Sequence, residues 1–293
     1  MSKKDFKSYE EQLDILRKRG LRIDDDNKAI EFLKNNNYYR ISGYSLTLRN
    51  HDIFYEQASF QNIIDIYNCD HEMRFLLLKY LEEIEVIFKS IYVYNFSRIY
   101  GPLGYLSSSH FNNPSEYISI LSKTEDQKNK RLPNEAYLKH FINDLKEDIP
   151  FWAYVDLFTI SDISKLYSIS EDALKEAVAN NFDIKGADKT QLLGSFMHSM
   201  TILRNLCAHG SRIYNRLFEQ KPALNSRQKK LLLKKESGAP DNSHLFGFVL
   251  LMLQLLPEDS KGQLKQDLKL LSQKYLFVDF RHYGFSPNWE HVI

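Results

Sequence analysis

The feature that most restricts the fold of this chain is the long helical pattern over residues 60 to 98, ended by Gly101-Pro102. Ser59 stands where a helix N-cap belongs, able to accept a hydrogen bond from a first-turn N–H. At about 100° per residue, Tyr67, Asp70, Arg74, Leu77, Leu81, Glu85, Phe88, Tyr92 and Asn95 fall within about 40° of one line. Charged groups therefore sit inside an apolar stripe. Burying Asp70, Arg74 and Glu85 without partners is costly, so they must be mutually paired, hydrogen-bonded, or open to a wet cleft. One reading makes them a structural ion network. The other has Glu85 or Arg74 orient a catalytic arginine or histidine on a neighbouring helix.

Composition extends this picture to the rest of the chain. Of 293 residues, 43% are hydrophobic and 26% charged, enough to bury a full core as one large domain or a main domain with an appendage. Tyr (18) and Phe (19) far exceed Gly (11) and Pro (8), so turns are sparse and an all-α fold is expected. A formal charge of +1 argues neither for nor against a nucleic-acid partner, and any attraction must come from local patches. Cys69 and Cys207 offer no disulfide framework and no metal-ligand spacing; they fit a reducing cytoplasm and behave as small buried hydrophobes. The opening MSKKDFKSYEE has no signal-peptide apolar region, and runs such as Phe246 to Leu256 are too short to span a bilayer. A soluble, cytoplasmic protein without membrane association is expected.

Two short amphipathic helices lead in, over 8 to 19 (closed by Gly20) and from Asp24-Asp25-Asp26 to Asn35-Asn36-Asn37. Tyr38-Tyr39-Arg40-Ile41-Ser42-Gly43-Tyr44 follows, with Gly43 placed for a tight turn. It reads either as a packed connector or as an RNA-contacting patch, in which Tyr39 stacks on a base and Arg40 meets phosphate. Residues 103 to 133 are turn-rich and polar, expected as a loop-rich insertion around a short helix. Further helices are expected over 134 to 147, over 161 to 168 after the aromatic run from Phe151 to Phe158, and over 170 to 182 with Ser170 as cap. The polar stretch 221 to 242 carries Lys229 and Lys230 among its cations and is either an electrostatic contact for RNA or a solvated surface. Two helices, about 243 to 256 and 258 to 274, flank Pro257, and the tail from Phe280 is expected to fold back as an ordered loop.

The best candidate for chemistry closes the second central helix, about Lys189 to His209, just before Gly210. Leu193, Phe196, Met197, Met200, Leu203 and Cys207 share one face, with His198, Asn205 and His209 opposite. Arg204 and His209 supply what RNA cleavage requires of a protein when the ribose 2′-hydroxyl is itself the nucleophile. Histidine moves protons near neutrality, and arginine meets phosphate oxygens with a permanent charge. Residues five apart on a straight helix point about 140° away from each other, whereas Asn205 and His209 share a face. Arg204 thus reaches the imidazole by curling its side chain, by distortion at the helix end, or by meeting the motif of a second subunit in a two-fold dimer. Ser211 to Arg216 adds Arg212, Asn215 and Arg216 close by. There is no Gly-rich phosphate loop, no paired His with metal spacing and no nucleophile elbow.

Arg204, Asn205 and His209 resemble the HEPN superfamily signature, an arginine, a polar residue, three more residues and a histidine. More specifically, the chain looks like the Abi-like (abortive infection, AbiD/AbiF type) family. The resemblance covers most of the length and is carried by Asn37 to Tyr44, then Asp70, Arg74 and Ile84-Glu85, then Pro150-Phe151-Trp152, and finally Leu203 to His209 running on to Arg212, Asn215 and Arg216. Thr159-Ile160-Ser161-Asp162 replaces a glycine-bearing turn, and Met197 or His198 stands where the family often has tryptophan; both bear on packing. The resemblance implies an HEPN-like helical bundle over 59–293 behind a small N-terminal helical extension, 1–58. It also implies a metal-independent endoribonuclease without cofactor, a homodimer acting in phage defence or as a toxin held in check by a partner. His209 would then be the general acid/base, Arg204 the phosphate-stabilising group, Asn205 a positioning group, and Glu85, supported by Arg74 and Asp70, would orient Arg204. Some family members are thought to work with a structured noncoding RNA, and there is kinship with the type VI CRISPR effectors. The alternative is a non-catalytic RNA-binding or antitoxin-like module using the same cleft; a purely structural interaction protein would show no RNA affinity.

Overall fold

Ser8 starts the first helix, α1 (Tyr9–Lys18), through a reciprocal cap: its hydroxyl accepts the Glu11 N–H while its own N–H donates to the Glu11 carboxylate at 2.7 Å. The computed structural model describes residues 5–186 and 188–293; the first four residues of the N-terminal segment, MSKK, lie outside them. Asp25 caps α2 (Asp26–Asn36), accepting the Lys28 N–H at 3.0 Å. The chain then reverses at Asn37, whose φ of 49° lies in the left-handed region that asparagine tolerates, and the same side chain caps α3 (Tyr38–Tyr44). The expected turn at Gly43 is therefore displaced. Gly43 lies inside a helix, and a Cβ there would come 3.2 Å from Nε of Arg212, so the glycine serves a close approach. A two-stranded antiparallel hairpin, β1 (Arg49–Asn50) and β2 (Ile53–Phe54), leads to the main body.

Helix α4 (Phe60–Tyr100) runs 41 residues, about 60 Å at 1.5 Å per residue, from a Ser59/Asn62 capping box to Gly101. Along its apolar stripe Asp70, Arg74, Leu77, Leu81, Phe88, Tyr92 and Asn95 are buried, with Tyr67 and Glu85 half-buried. The short helix expected within the loop-rich segment 103 to 133 is an 18-residue helix, α5 (Pro114–Arg131), which Asn113 caps with Pro114 in its first turn, so the segment is more helical than expected. After it come α6 (Ala136–Lys139), continued by a π turn over His140–Leu145, then α7 (Phe151–Tyr154) and α8 (Ile160–Ile169). Helix α9 (Asp172–Ala179) starts two residues later than expected. Ser170 is not its cap, because its hydroxyl donates to the Leu166 carbonyl and meets the buried Tyr92 hydroxyl.

The second central helix, α10 (Lys189–Ala208), packs on α4 and α8. The short α11 (Ser226–Lys229) precedes α12 (Leu245–Leu255) and α13 (Glu258–Lys274), which both lie on α4, and α14 (Trp289–Val292) closes the chain. The tail folds back as expected, burying Phe280, Tyr283, Phe285 and Trp289. Buried apolar residues from Leu13 to Trp289 form one continuous cluster, so the N-terminal extension shares the core of the bundle. The described residues make an all-α fold apart from the hairpin, and no helix among them is long and apolar enough to cross a membrane.

Candidate nucleic-acid site at the end of the second central helix

Asp188 caps α10, accepting the Gln191 N–H at 2.9 Å. Leu193, Phe196, Met197, Met200, Leu203 and Cys207 are buried against the core, while His198 and His209 are exposed and Asn205 is half-buried. The helix ends in a double turn bond: the Gly210 N–H donates to the Cys207 carbonyl at 3.1 Å, and the Ser211 N–H to the Leu206 carbonyl at 2.9 Å. Gly210 takes φ +64°, which this termination requires and which costs a glycine little. His209 is thereby fixed as the C-cap, with φ −85° and ψ 9°, just off the helical screw. Burial pushes the Cys207 thiol up to about 12, so the cysteine inside the motif stays protonated and packs as a hydrophobe.

Arg204 bends toward its neighbour, and its Nη1 donates to the Asn205 side-chain oxygen at 3.3 Å. Among the described residues no hydrogen bond joins Arg204 to His209. Arg204 and Ala208 instead line an open groove of about 1260 Å³ along α4. Glu85 lines the same groove, yet its carboxylate pairs with Lys89 at 2.8 Å, one turn along its own helix. The groove also exposes large apolar side chains: Phe75 (61%), Tyr94 (69%) and Trp152 (57%). Phe75 and Tyr94 lie off the buried stripe of α4, so its periodicity does not single them out.

Asp70 and Arg74 do not reach this groove. Their side chains are almost wholly buried, 0% and 2% exposed, and bonded to each other. Asp70 also accepts from the Tyr44 hydroxyl at 2.8 Å, from the Tyr214 N–H at 2.7 Å, from the Ile213 N–H at 3.3 Å and from the Tyr283 hydroxyl at 3.2 Å. Burial pushes the Asp70 carboxyl up, and Arg74 with these donors pulls against it. This is the structural ion network. It ties α3, α4, the segment after the motif and the tail to one carboxylate.

Arg40 is the outlying candidate that the fold brings to the motif. Its Nη2 donates to the Gly210 carbonyl at 2.7 Å, and its guanidinium lies 5.6 Å from the Tyr67 ring centroid. Tyr39 beside it is exposed, edge-on to Tyr38. Arg212 is engaged by carbonyls of its own loop, those of Tyr214 and Asn215, and Asn215 takes φ 47° to allow it. Arg216 donates to the Arg212 carbonyl at 3.4 Å and lies over Phe218. Lys229 lines a separate hollow of about 290 Å³ with Leu192 and Asn225, and Lys230 is exposed at the end of α11. The two lysines therefore stand apart from the groove that holds Arg204. Among the described residues, no group of three or more His, Cys, Asp or Glu side chains is placed to hold a metal ion.

An all-α bundle built on one long helix, with an arginine, an amide and an exposed histidine ending its second central helix, defines the class of this protein. The chain belongs to the Abi-like protein family, whose model matches residues 31–215. The matched span takes in Arg40, Asp70, Arg74 and the whole of α10 with its motif. No curated protein and no solved structure matches the chain.

Proposed function

We propose that the protein is an HEPN-type endoribonuclease that acts in abortive infection or as a toxin. The observation that carries this reading is the end of α10: Arg204 bonded to Asn205 at the edge of an open groove, with exposed His209 one turn on, clamped by the Gly210 termination. Membership of the Abi-like family supports a part in abortive infection and is compatible with a nuclease.

In the proposed reaction the ribose 2′-hydroxyl attacks the adjacent phosphorus and the P–O5′ bond breaks. An imidazole takes the 2′-hydroxyl proton, and an imidazolium returns a proton to the departing O5′. Arg204 neutralises charge on the phosphorane oxygens, and Asn205 holds Arg204 or a phosphate. The products carry a 2′,3′-cyclic phosphate and a 5′-hydroxyl, and no step needs a metal or cofactor. The two proton transfers occur on opposite sides of the phosphorus, so two motifs facing each other across a homodimer complete the site. The exposed Tyr94 and Trp152 along the Arg204 groove support this, since exposed apolar patches of that kind mark contact surfaces.

The test is sequencing of RNA ends after incubation of total RNA and tRNA with the wild type and with Arg204→Ala/His209→Ala. Cyclic-phosphate ends that vanish in the double variant support the reading, and ends bearing a 3′-hydroxyl rule it out. RNA that is bound equally by both proteins and cut by neither makes the protein a non-catalytic RNA-binding or antitoxin-like module. Light scattering separates dimer from monomer, and a fully active monomer removes the composite site.

A further inference from the structure

We infer that the outer face of α4 beside the motif is a nucleobase-stacking subsite, so that the substrate of the proposed ribonuclease is unpaired RNA. Tyr67, His71 and Phe75 follow one another at i, i+4 spacing, and each step turns about 40° around the helix from the buried stripe toward solvent. The Tyr67 and His71 rings are parallel to within 17° with centroids 6.5 Å apart, and the His71 and Phe75 centroids are 4.8 Å apart with the rings tilted by 51°. Tyr67 is half-buried and held edge-on by Phe32 and Tyr44, so the column has a fixed base, while His71 and Phe75 are exposed.

One contact and one shared groove relate this column to His209. Arg40 joins Gly210, the residue after His209, to the Tyr67 ring. Ala208, the residue before it, lines the same groove as Phe75. His209 thus lies between a residue bonded to Arg40 and a residue that lines the Phe75 groove. His71 and Phe75 also wall a hollow of about 600 Å³ between α4 and α13, lined by Leu76, Leu270 and Leu271 and by Lys274, which is bonded to Glu72. Its carboxylates are already engaged, Glu72 by Lys274 and Tyr275 and Asp267 by Lys79 and Tyr80, which removes most of their repulsion toward a phosphate.

Exposed rings in series, a cation at one end and apolar walls beyond match what a single strand presents: flat bases with a phosphate between them. A duplex keeps its bases stacked inside and offers nothing to these rings. Arg40 contributes charge to the phosphate nearest His209, and the flanking base lies on His71 or Phe75.

The subsite rests on the ribonuclease reading for its biological role, and its test is binding, which is independent of cleavage. The probe is a fluorescein-labelled oligouridine about 12 nucleotides long with 2′-O-methyl riboses, which lacks the nucleophile, compared with a blunt RNA duplex of equal length. Wild-type protein is expected to bind the single strand more tightly than the duplex. His71→Ala/Phe75→Ala is expected to weaken single-strand binding about 10- to 100-fold while leaving the melting temperature and the molecular mass in solution unchanged. Arg40→Ala adds an independent, salt-dependent loss. Equal binding of the single strand by wild type and the ring variant overturns the subsite, as does a preference for duplex. If the wild type cuts RNA and the ring variant binds and cuts like it, only the subsite falls. If binding is lost as expected but no cleavage occurs, the ribonuclease reading falls and the subsite stands.

Discussion

Asp70 on α4 accepts the backbone N–H of Tyr214 at 2.7 Å, across 144 residues of chain. With Arg74, Tyr44, Ile213 and Tyr283 completing its shell, this carboxylate holds the segment that leaves the motif. Asp70→Ala strands a buried guanidinium and two backbone N–H groups. The expected loss is about 3–5 kcal/mol of folding stability, read as a drop in the denaturant midpoint. Any loss of RNA cleavage should follow the unfolded fraction, in contrast to Arg204→Ala.

Gly210 is expected to be a position of backbone strain, with little steric demand. A Cβ there would stand 3.5 Å from Nη2 of Arg40, ordinary contact, but φ is +64°. Gly210→Ala should cost about 1–2 kcal/mol, the penalty of a left-handed L-residue. Because His209 is the cap of this termination, cleavage should fall further than the melting temperature alone explains. A variant with normal stability and normal activity would show that the cap does not set the imidazole.

Glu85 offers a separate test of how Arg204 is held. The ion pair to Lys89 occupies its carboxylate, and Arg204 rests on Asn205. Both side chains are mostly buried, so Glu85→Gln leaves the Lys89 ammonium without its charge partner and should cost about 1–3 kcal/mol of stability, but should leave kcat within a few-fold. Asn205→Ala, which removes the bond actually made, should lower kcat more. The reverse order would restore the expectation that Glu85 orients the arginine.

The parts of the fold visible in sequence were those set by local pattern. Helix α4 announced itself by its length, its Ser59 cap and its stripe, and the anomaly of Asp70, Arg74 and Glu85 within that stripe was equally plain. What paired with Asp70 was not, because its partners come from residues 44, 213, 214 and 283, and no local rule joins them. Helix α5 is longer than the short helix expected there although Asn113-Pro114 is a start signal, because the serines and asparagines before it suggest loop. Gly43 suggested a turn because its reason for being glycine, the approach of Arg212, lies 169 residues downstream. The Tyr67, His71 and Phe75 series is encoded as i, i+4 aromatics, but only Tyr67 belongs to the buried stripe, so the apolar periodicity of α4 does not reveal the other two.

Acid should loosen α13 before the rest of the bundle. Three carboxylates tie it to α4; Glu83 accepts the Ser260 hydroxyl at 2.6 Å, and the other two, Glu72 and Asp267, titrate below their ordinary values. Burial alone would raise the Glu72 carboxyl, but the Lys274 ammonium and the Tyr275 hydroxyl outweigh it and hold it below its ordinary value of 4.5. At Asp267 burial is likewise outweighed by the Tyr80 hydroxyl, Gln263 and Lys79, and the carboxyl lies below 3.8. For both groups the folded state holds on to fewer protons than the unfolded chain in the window below these ordinary values. Stability therefore rises with pH through that window, is fully present above it, and is lost as pH falls toward the folded-state values. Hydrogen exchange of residues 258–274 should show protection intact at neutral pH and declining from about pH 4.5 downward, ahead of the α4 amides at 77–92. Lys274→Ala/Tyr275→Phe removes the Glu72 contacts at every pH, so this variant should begin less protected at neutral pH and lose less on acidification. If α13 keeps its protection to about pH 3 while other helices open, these two ties do not limit its docking.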